Sequence, residues 1–189
     1  MMPTRARSTM NIDIPELRTP RLRLTALRED HFDAYARMLA DHTSTRHVGD
    51  GKPLDRLNAW RSMAMLLGHW VLRGYGMWAV ELLGDGRFIG RVGLLKPEGW
   101  PDLELGWMIE PGARGQGYAT EAASAALEYA WRELRAERVV SLIRPADVAS
   151  EKLAAHLGGE RVDTLDFCGW PAHVFAYHPP LAHARTATG

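Results

Sequence analysis

The sequence of 189 residues suits one domain, long enough to bury about 70% of the surface its unfolded chain would expose. Its 23 basic residues balance 23 acidic ones, which leaves no net field to draw in nucleic acid or an anionic membrane, so any anion must be bound locally. The single cysteine, Cys168, excludes an internal disulfide, and no apolar run approaches the ~20 residues that cross a bilayer, so a cytoplasmic protein is expected.

Residues 1–18 include the basic opening "MMPTRARSTM", which lacks the apolar segment of a secretory signal and is expected to be a flexible leader. After Pro20, "RLRLTAL" alternates, with Leu22, Leu24 and Leu27 as the inward set of a first strand. Over 29–41, Phe32, Tyr35, Ala36 and Leu39 fall at helical spacing behind an acidic first turn, which the helix dipole favours. The polar, turn-rich stretch at 41–53 predicts a surface loop. Leu57, Trp60, Ala64, Leu67 and Val71 then mark the stripe of a second amphipathic helix.

Three strands follow, "MWAVELL", "RFIGRVGLL" and "LELGWMI", the first two joined by "GDG", whose residues tolerate the positive φ of a tight hairpin. From Tyr118 to Leu134 alanines recur at helical spacing, giving a long helix with a small-residue face that can lie close on a sheet. "RVVSLI" (138–143) is a buried-strand pattern, "ASEKLAAHLG" a helix ending at glycine, and "ERVDTLDF" with "WPAHVFAYH" a final strand pair. The strand 138–143 should lie parallel to 103–109 through the helix between them. This order predicts an α/β (α+β) domain over 19–178, with a central mixed, mostly antiparallel twisted sheet of about seven strands and four helices. Residues 179–189 read as a disordered tail.

A strand, then "EPGARGQG", then a helix is the geometry in which main-chain N–H groups at a helix start converge on an anion. Gly115 and Gly117 let a ligand approach the main chain and accept positive φ, and Arg114 adds a permanent charge. A P-loop pattern is absent, and a dinucleotide fingerprint fits only at its first two glycines, since the last falls on Thr120.

"RGQGYA" matches Arg/Gln-x-x-Gly-x-Gly/Ala, and "LELGWMIEPGARGQGYATEA" with "PADVASEKLAAHLGGERV" resembles the strand, pyrophosphate loop and helices of the GNAT superfamily of N-acyltransferases. The entry "LRTPRLRLTAL" and the wording "GQGYATEA" resemble most the branch that acetylates ribosomal-protein N-termini. The resemblance covers about residues 19–178 and implies acetyl-CoA as cosubstrate, a primary-amine acceptor on a peptide N-terminus or a small molecule, and an arrangement open to a homodimer. A silent acyl-CoA-binding module and, on the two glycines alone, a nicotinamide-dependent oxidoreductase are the other readings. No metal is expected, because the eight histidines show no metal-ligand spacing.

An amine that attacks a thioester must lose its proton, which calls for a base. Glu104 is the candidate: on 103–109 it shares a face with Gly106 and Met108, apart from the apolar set of Leu103, Leu105, Trp107 and Ile109. The resemblance implies that main-chain groups of Trp107, Met108 and Ile109 pair with pantetheine. It assigns the pyrophosphate to amides of Arg114, Gly115, Gln116, Gly117, Tyr118, Ala119 and Thr120, and adds Asp147 and Lys152 to the cofactor contacts. Many members carry a tyrosine where this chain has Ala154, so Ser150 becomes the candidate to donate to the cofactor sulfur; a serine at that place also serves as an ordinary helix cap. Asp147 stands where the family often has asparagine. The loop 41–53 and the turn "DFCGWPAH" should wall the acceptor pocket with His42, Arg46, His47, Trp170 and His173, and Trp78 and Trp100 could contribute.

Overall fold

The structure, a computed structural model, describes residues 13–180; most of the expected leader and tail, 1–12 and 181–189, lies outside the described residues. Leu17–Arg18 (β1) pairs with Leu22–Thr25 (β2) through a turn in which the Thr19 amide donates to the Leu22 carbonyl at 3.0 Å. Phe32–Ala40 (α1) buries the expected Tyr35, Ala36 and Leu39. The predicted loop 41–53 holds a one-turn helix, His42–Thr45 (α2), because the Asp41 carboxylate accepts from the Ser44 amide at 2.7 Å and caps it.

Arg56–Arg73 (α3) begins at an Asp55 cap and stops at Gly74, whose φ of 76° is the left-handed conformation that ends a helix. Its buried side is Ala59, Met63, Leu66 and Trp70, whereas Leu57, Trp60 and Val71 of the expected stripe face solvent. Apolar residues lie on several faces of this helix, and the set that packs brings Ala59 into the layer shared with α1.

Met77–Leu82 (β3), Phe88–Leu95 (β4) and Glu104–Ile109 (β5) form the predicted antiparallel meander. Tyr118–Arg132 (α4) crosses to Val139–Ile143 (β6), Val148–His156 (α5) follows, and Glu160–Phe167 (β7) pairs with Trp170–Tyr177 (β8). The sheet runs β1-β2-β3-β4-β5-β6-β8-β7, with β5 and β6 its parallel pair. The expected fold class is observed, with one short edge strand and one single-turn helix beyond the expected seven and four.

Two apolar layers cover the sheet. One packs α1 and α3 on Met77, Ala79, Phe88 and Met108. The other packs α4 on Leu24, Val80, Leu105 and Ile109, where fully buried Ala122, Ala123, Ala126 and Ala130 allow the close approach read from the sequence. Trp78 is fully buried here and donates to the Pro15 carbonyl at 2.8 Å, so it is a core residue and lines no pocket for an acceptor. No helix of the described residues is long and apolar enough to cross a membrane.

Candidate active site

Strands β5 and β6 share a single register pair, Glu104 with Val140, fixed by the Val140 amide on the Leu103 carbonyl at 2.8 Å. Beyond it they part. The Leu105 carbonyl accepts from the Ser141 hydroxyl at 2.7 Å, and the Ile109 carbonyl from Arg114 Nε at 2.9 Å. Alternation of the strand therefore turns the main chain of Trp107 towards the gap as well, where no strand receives it. The run predicted to meet pantetheine divides accordingly. Trp107 and the Ile109 amide face the gap, whereas Met108 pairs with Arg91 of β4 and spends its main chain there, on the register that also places Gly93 opposite Gly106.

The gap opens into a cleft of about 480 Å³ on the α4 and α5 side. Its far wall is the predicted glycine loop: Gly115 and Gly117 have φ of 74° and 79°, and Gly117 is the residue before α4. Among the described residues no main-chain N–H from Gly115 to Thr120 has a protein partner, so the helix start presents a fan of free donors. A Cβ on Gly115 would meet nothing within 4 Å, which leaves the loop open to a ligand. Tyr118, Ala119 and Thr120 line the cleft, while Gln116 faces solvent and its carbonyl accepts from Arg21 Nη1 at 2.9 Å.

Arg114 lines the cleft, but its guanidinium is engaged with protein. Nε holds Ile109, and Nη2 donates to Ser44 Oγ at 2.7 Å, which straps α2 over the end of β5. The charge expected beside the glycine cradle thus acts as a tether. Arg21, which the sequence did not single out, stands at the same helix start. Its Nε meets Glu121 at 2.7 Å and its guanidinium lies over the Tyr118 ring at 4.6 Å.

On the opposite, α3 side of β5 lies a cavity of about 520 Å³, and the two spaces share His47, Val48, Trp107, Asp147 and Ser150. At this junction the Trp107 indole N–H donates to Ser150 Oγ at 3.2 Å. An indole nitrogen only donates, so the serine hydroxyl accepts there and its own proton stays free. Ser150 does not cap α5: that position belongs to Asp147, whose carboxylate accepts from the Ser150 amide at 3.2 Å. Lys152 is exposed on α5 and lines neither space.

Glu104 lines the 520 Å³ cavity, where Trp100 Nε1 donates to its Oε2. Burial pushes its carboxyl up to about 7, against the Trp100 bond, the Leu142 amide and the charge of Arg91. A carboxyl poised there can hold or release a proton near neutral pH. Of the residues expected to wall an acceptor pocket, His47, Trp100 and Trp170 line this cavity. Arg46 lines the 480 Å³ cleft, and His42 and His173 line neither space, His173 being bonded to Glu151. The loop 41–53 therefore walls both spaces, because α2 seats its first half over β5. Ala154 is fully buried on the inner face of α5 and offers no polar group to either.

The family description "Acetyltransferase (GNAT) domain" matches residues 21–160, which span the glycine loop, Glu104 and Ser150. The chain belongs to the GNAT acetyltransferase family. The GNAT chain is similar to the crystal structure of an acetyltransferase from Agrobacterium tumefaciens, 32% identical with a TM-score of 0.77, covering 92% of this chain and 99% of that one. It is 33% identical over 89 residues to the uncharacterised N-acetyltransferase YnaD of Bacillus subtilis, 47% of this chain and about half, 52%, of that relative's length. It shares its fold with Mycobacterium smegmatis RimJ, a structure in complex with CoA-disulfide, at 20% identity, a TM-score of 0.68 and 87% coverage of each chain.

Proposed function

We propose that the protein transfers an acetyl group from acetyl-CoA to a primary amine by direct attack in a ternary complex, with no covalent enzyme intermediate. The observation that carries this reading is the meeting of two spaces at Trp107 and Ser150, one ending in a fan of free main-chain donors and the other holding a carboxyl that titrates near 7. Free amides around two glycines at a helix start fit a diphosphate, and the open main chain of Trp107 fits an amide-bearing arm laid along β5.

Acetyl-CoA would supply the activated thioester. Glu104, ionised, would take the proton that the amine nitrogen releases as it attacks, directly or through a water. The free proton of Ser150 would then be donated in a hydrogen bond to the sulfur as the thiolate leaves. Both cavity walls would hold the reactants in line and keep bulk water from the thioester. The experiment is release of free thiol from acetyl-CoA against a panel of amines and N-terminal peptides, with CoA binding followed by calorimetry. Release dependent on an amine is the expected result; CoA binding with no release for any acceptor would count against the reaction.

A further inference from the structure

We propose that Arg91 selects an acceptor carrying a carboxylate a few bonds from its primary amine, so that the substrate is a small amino-carboxylate. This deepens the N-acetyltransferase reading above and rests on it. Arg91 stands on β4 facing the acceptor cavity, on the same face as Glu104: the register sets Arg91 against Met108, Gly93 against Gly106 and Leu95 against Glu104. Among the described residues its guanidinium has no hydrogen bond and no ion pair, and its Nε is buried without a partner. Other arginines of the domain are matched: Arg23 and Arg28 on Glu81, Arg21 on Glu121, Arg87 on Glu110. A shielded guanidinium with no carboxylate bonded to it is costly, and a bound carboxylate would supply the anion in the two-pronged geometry arginine prefers.

The other charges around the cavity are already committed. Arg144 shares with Arg91 a buried Nε without a partner, but its guanidinium donates to the Gly49 carbonyl and lies over the Trp170 ring at 4.5 Å; Asp147 caps α5, and Asp50 accepts from the Lys52 amide at 3.1 Å. Glu104, bonded to Trp100, forms no ion pair with Arg91 although it feels that charge. Between cation and base the floor is bare. A Cβ on Gly106 would meet only Met77 Cε, at 3.8 Å, so the space there is left to a ligand. Met65, Leu66 and Met77 line the cavity beside it and suit a short methylene chain. Glu104 and the partner of Arg91, Met108, stand four steps apart on β5, about 13 Å of strand, a span that a short amino-carboxylate can bridge with a side chain reaching to each of its ends.

The test compares glycine, β-alanine, 4-aminobutyrate and 6-aminohexanoate with their carboxamides as acceptors for the full-length protein, reading kcat/KM by thiol release and binding to the CoA-loaded protein by calorimetry. At least one carboxylate should exceed its amide by about tenfold or more, a decade being ~1.4 kcal/mol. Arg91→Gln should bring that ratio to about one, and Arg91→Lys, which keeps the charge but not the fork, should retain part of it. Equal use of acid and amide by the wild type, or a ratio that survives Arg91→Gln, overturns the proposal while leaving the acetyltransferase reading intact. An acidic N-terminal tetrapeptide that outperforms every small carboxylate overturns it too. If no amine gives thiol release, the enzyme reading fails, and calorimetry still decides: a carboxylate bound by wild type and lost in Arg91→Gln supports the site, and no bound carboxylate refutes it.

Discussion

The Trp107 indole and the Ser150 hydroxyl, joined at 3.2 Å, bridge β5 to α5 across the gap where the sheet has come apart. The bond makes the serine an acceptor and leaves its own proton unspent where the two spaces meet. Ser150→Ala should therefore lower kcat by about tenfold while costing only ~1 kcal/mol of stability, the value of one ordinary hydrogen bond. Asp147→Ala should show the reverse, a loss of ~1 kcal/mol from the missing cap with little change in chemistry. Thermal melts beside thiol-release kinetics separate the two; equal behaviour would contradict the assignment of the cap to Asp147.

Glu104→Gln should reduce turnover by about 10²–10⁴ with CoA affinity unchanged. The pH profile carries the sign. With its carboxyl raised to about 7, Glu104 is protonated and unable to act as the proposed base below that value, so kcat at saturating amine should climb through pH 7 and level off above it. The charge of Arg91 lowers the carboxyl, so Arg91→Gln should move the limb to higher pH. A profile flat from pH 6 to pH 8, about one unit either side of that value, would remove Glu104 from the mechanism.

Gly117→Ala and Gly106→Ala make opposite demands. Gly117 sits at φ 79° with Arg21 Nη2 3.3 Å from a new Cβ, so alanine there should cost about 1–2 kcal/mol and weaken CoA binding. At Gly106 the backbone is unstrained and the methyl would enter open space, so the melting temperature should hold while the acceptor KM rises. A drop in melting temperature for the second variant would mean the floor is not open.

Glu81 is the structural counterpart of Glu104. Burial works to raise it, but hydrogen bonds from Arg23, His31 and Arg28 hold it below the usual carboxylate range. A lowered carboxyl stabilises the fold at pH above its unfolded value and loses that contribution as pH falls through the folded one. Stability should accordingly fall in acid, and Glu81→Gln should flatten that fall and cost about 2 kcal/mol near neutrality, less than for a fully buried pair because the guanidiniums are partly exposed. Denaturant midpoints at pH 4, about the unfolded carboxyl value, and at 7 measure it.

The parts legible in the sequence are those governed by local rules. Gly115 and Gly117 before an alanine-rich helix announced a fan of donors, and the alternation around Glu104 separated it from Leu105 and Trp107. The hidden parts depend on partners far along the chain. Arg114 looked like an anion contact because nothing in "GARGQG" says that Ser44 waits 70 residues earlier to receive its guanidinium. Arg91 reads as an ordinary polar position in "RFIGRVGLL", and only the register against β5 turns it into the cavity. The α3 stripe was misplaced because a helix apolar on several faces does not declare which one packs.

The single rung between β5 and β6 divides the molecule into two lobes, β1 to β5 in one and β6 to β8 in the other, joined along the sheet by little more than Glu104 and Val140. A nucleotide thioester wedged there would clamp those lobes as a rivet does two plates. Its arrival would shape the chamber next door, so the proposed transfer should run donor first and amine second.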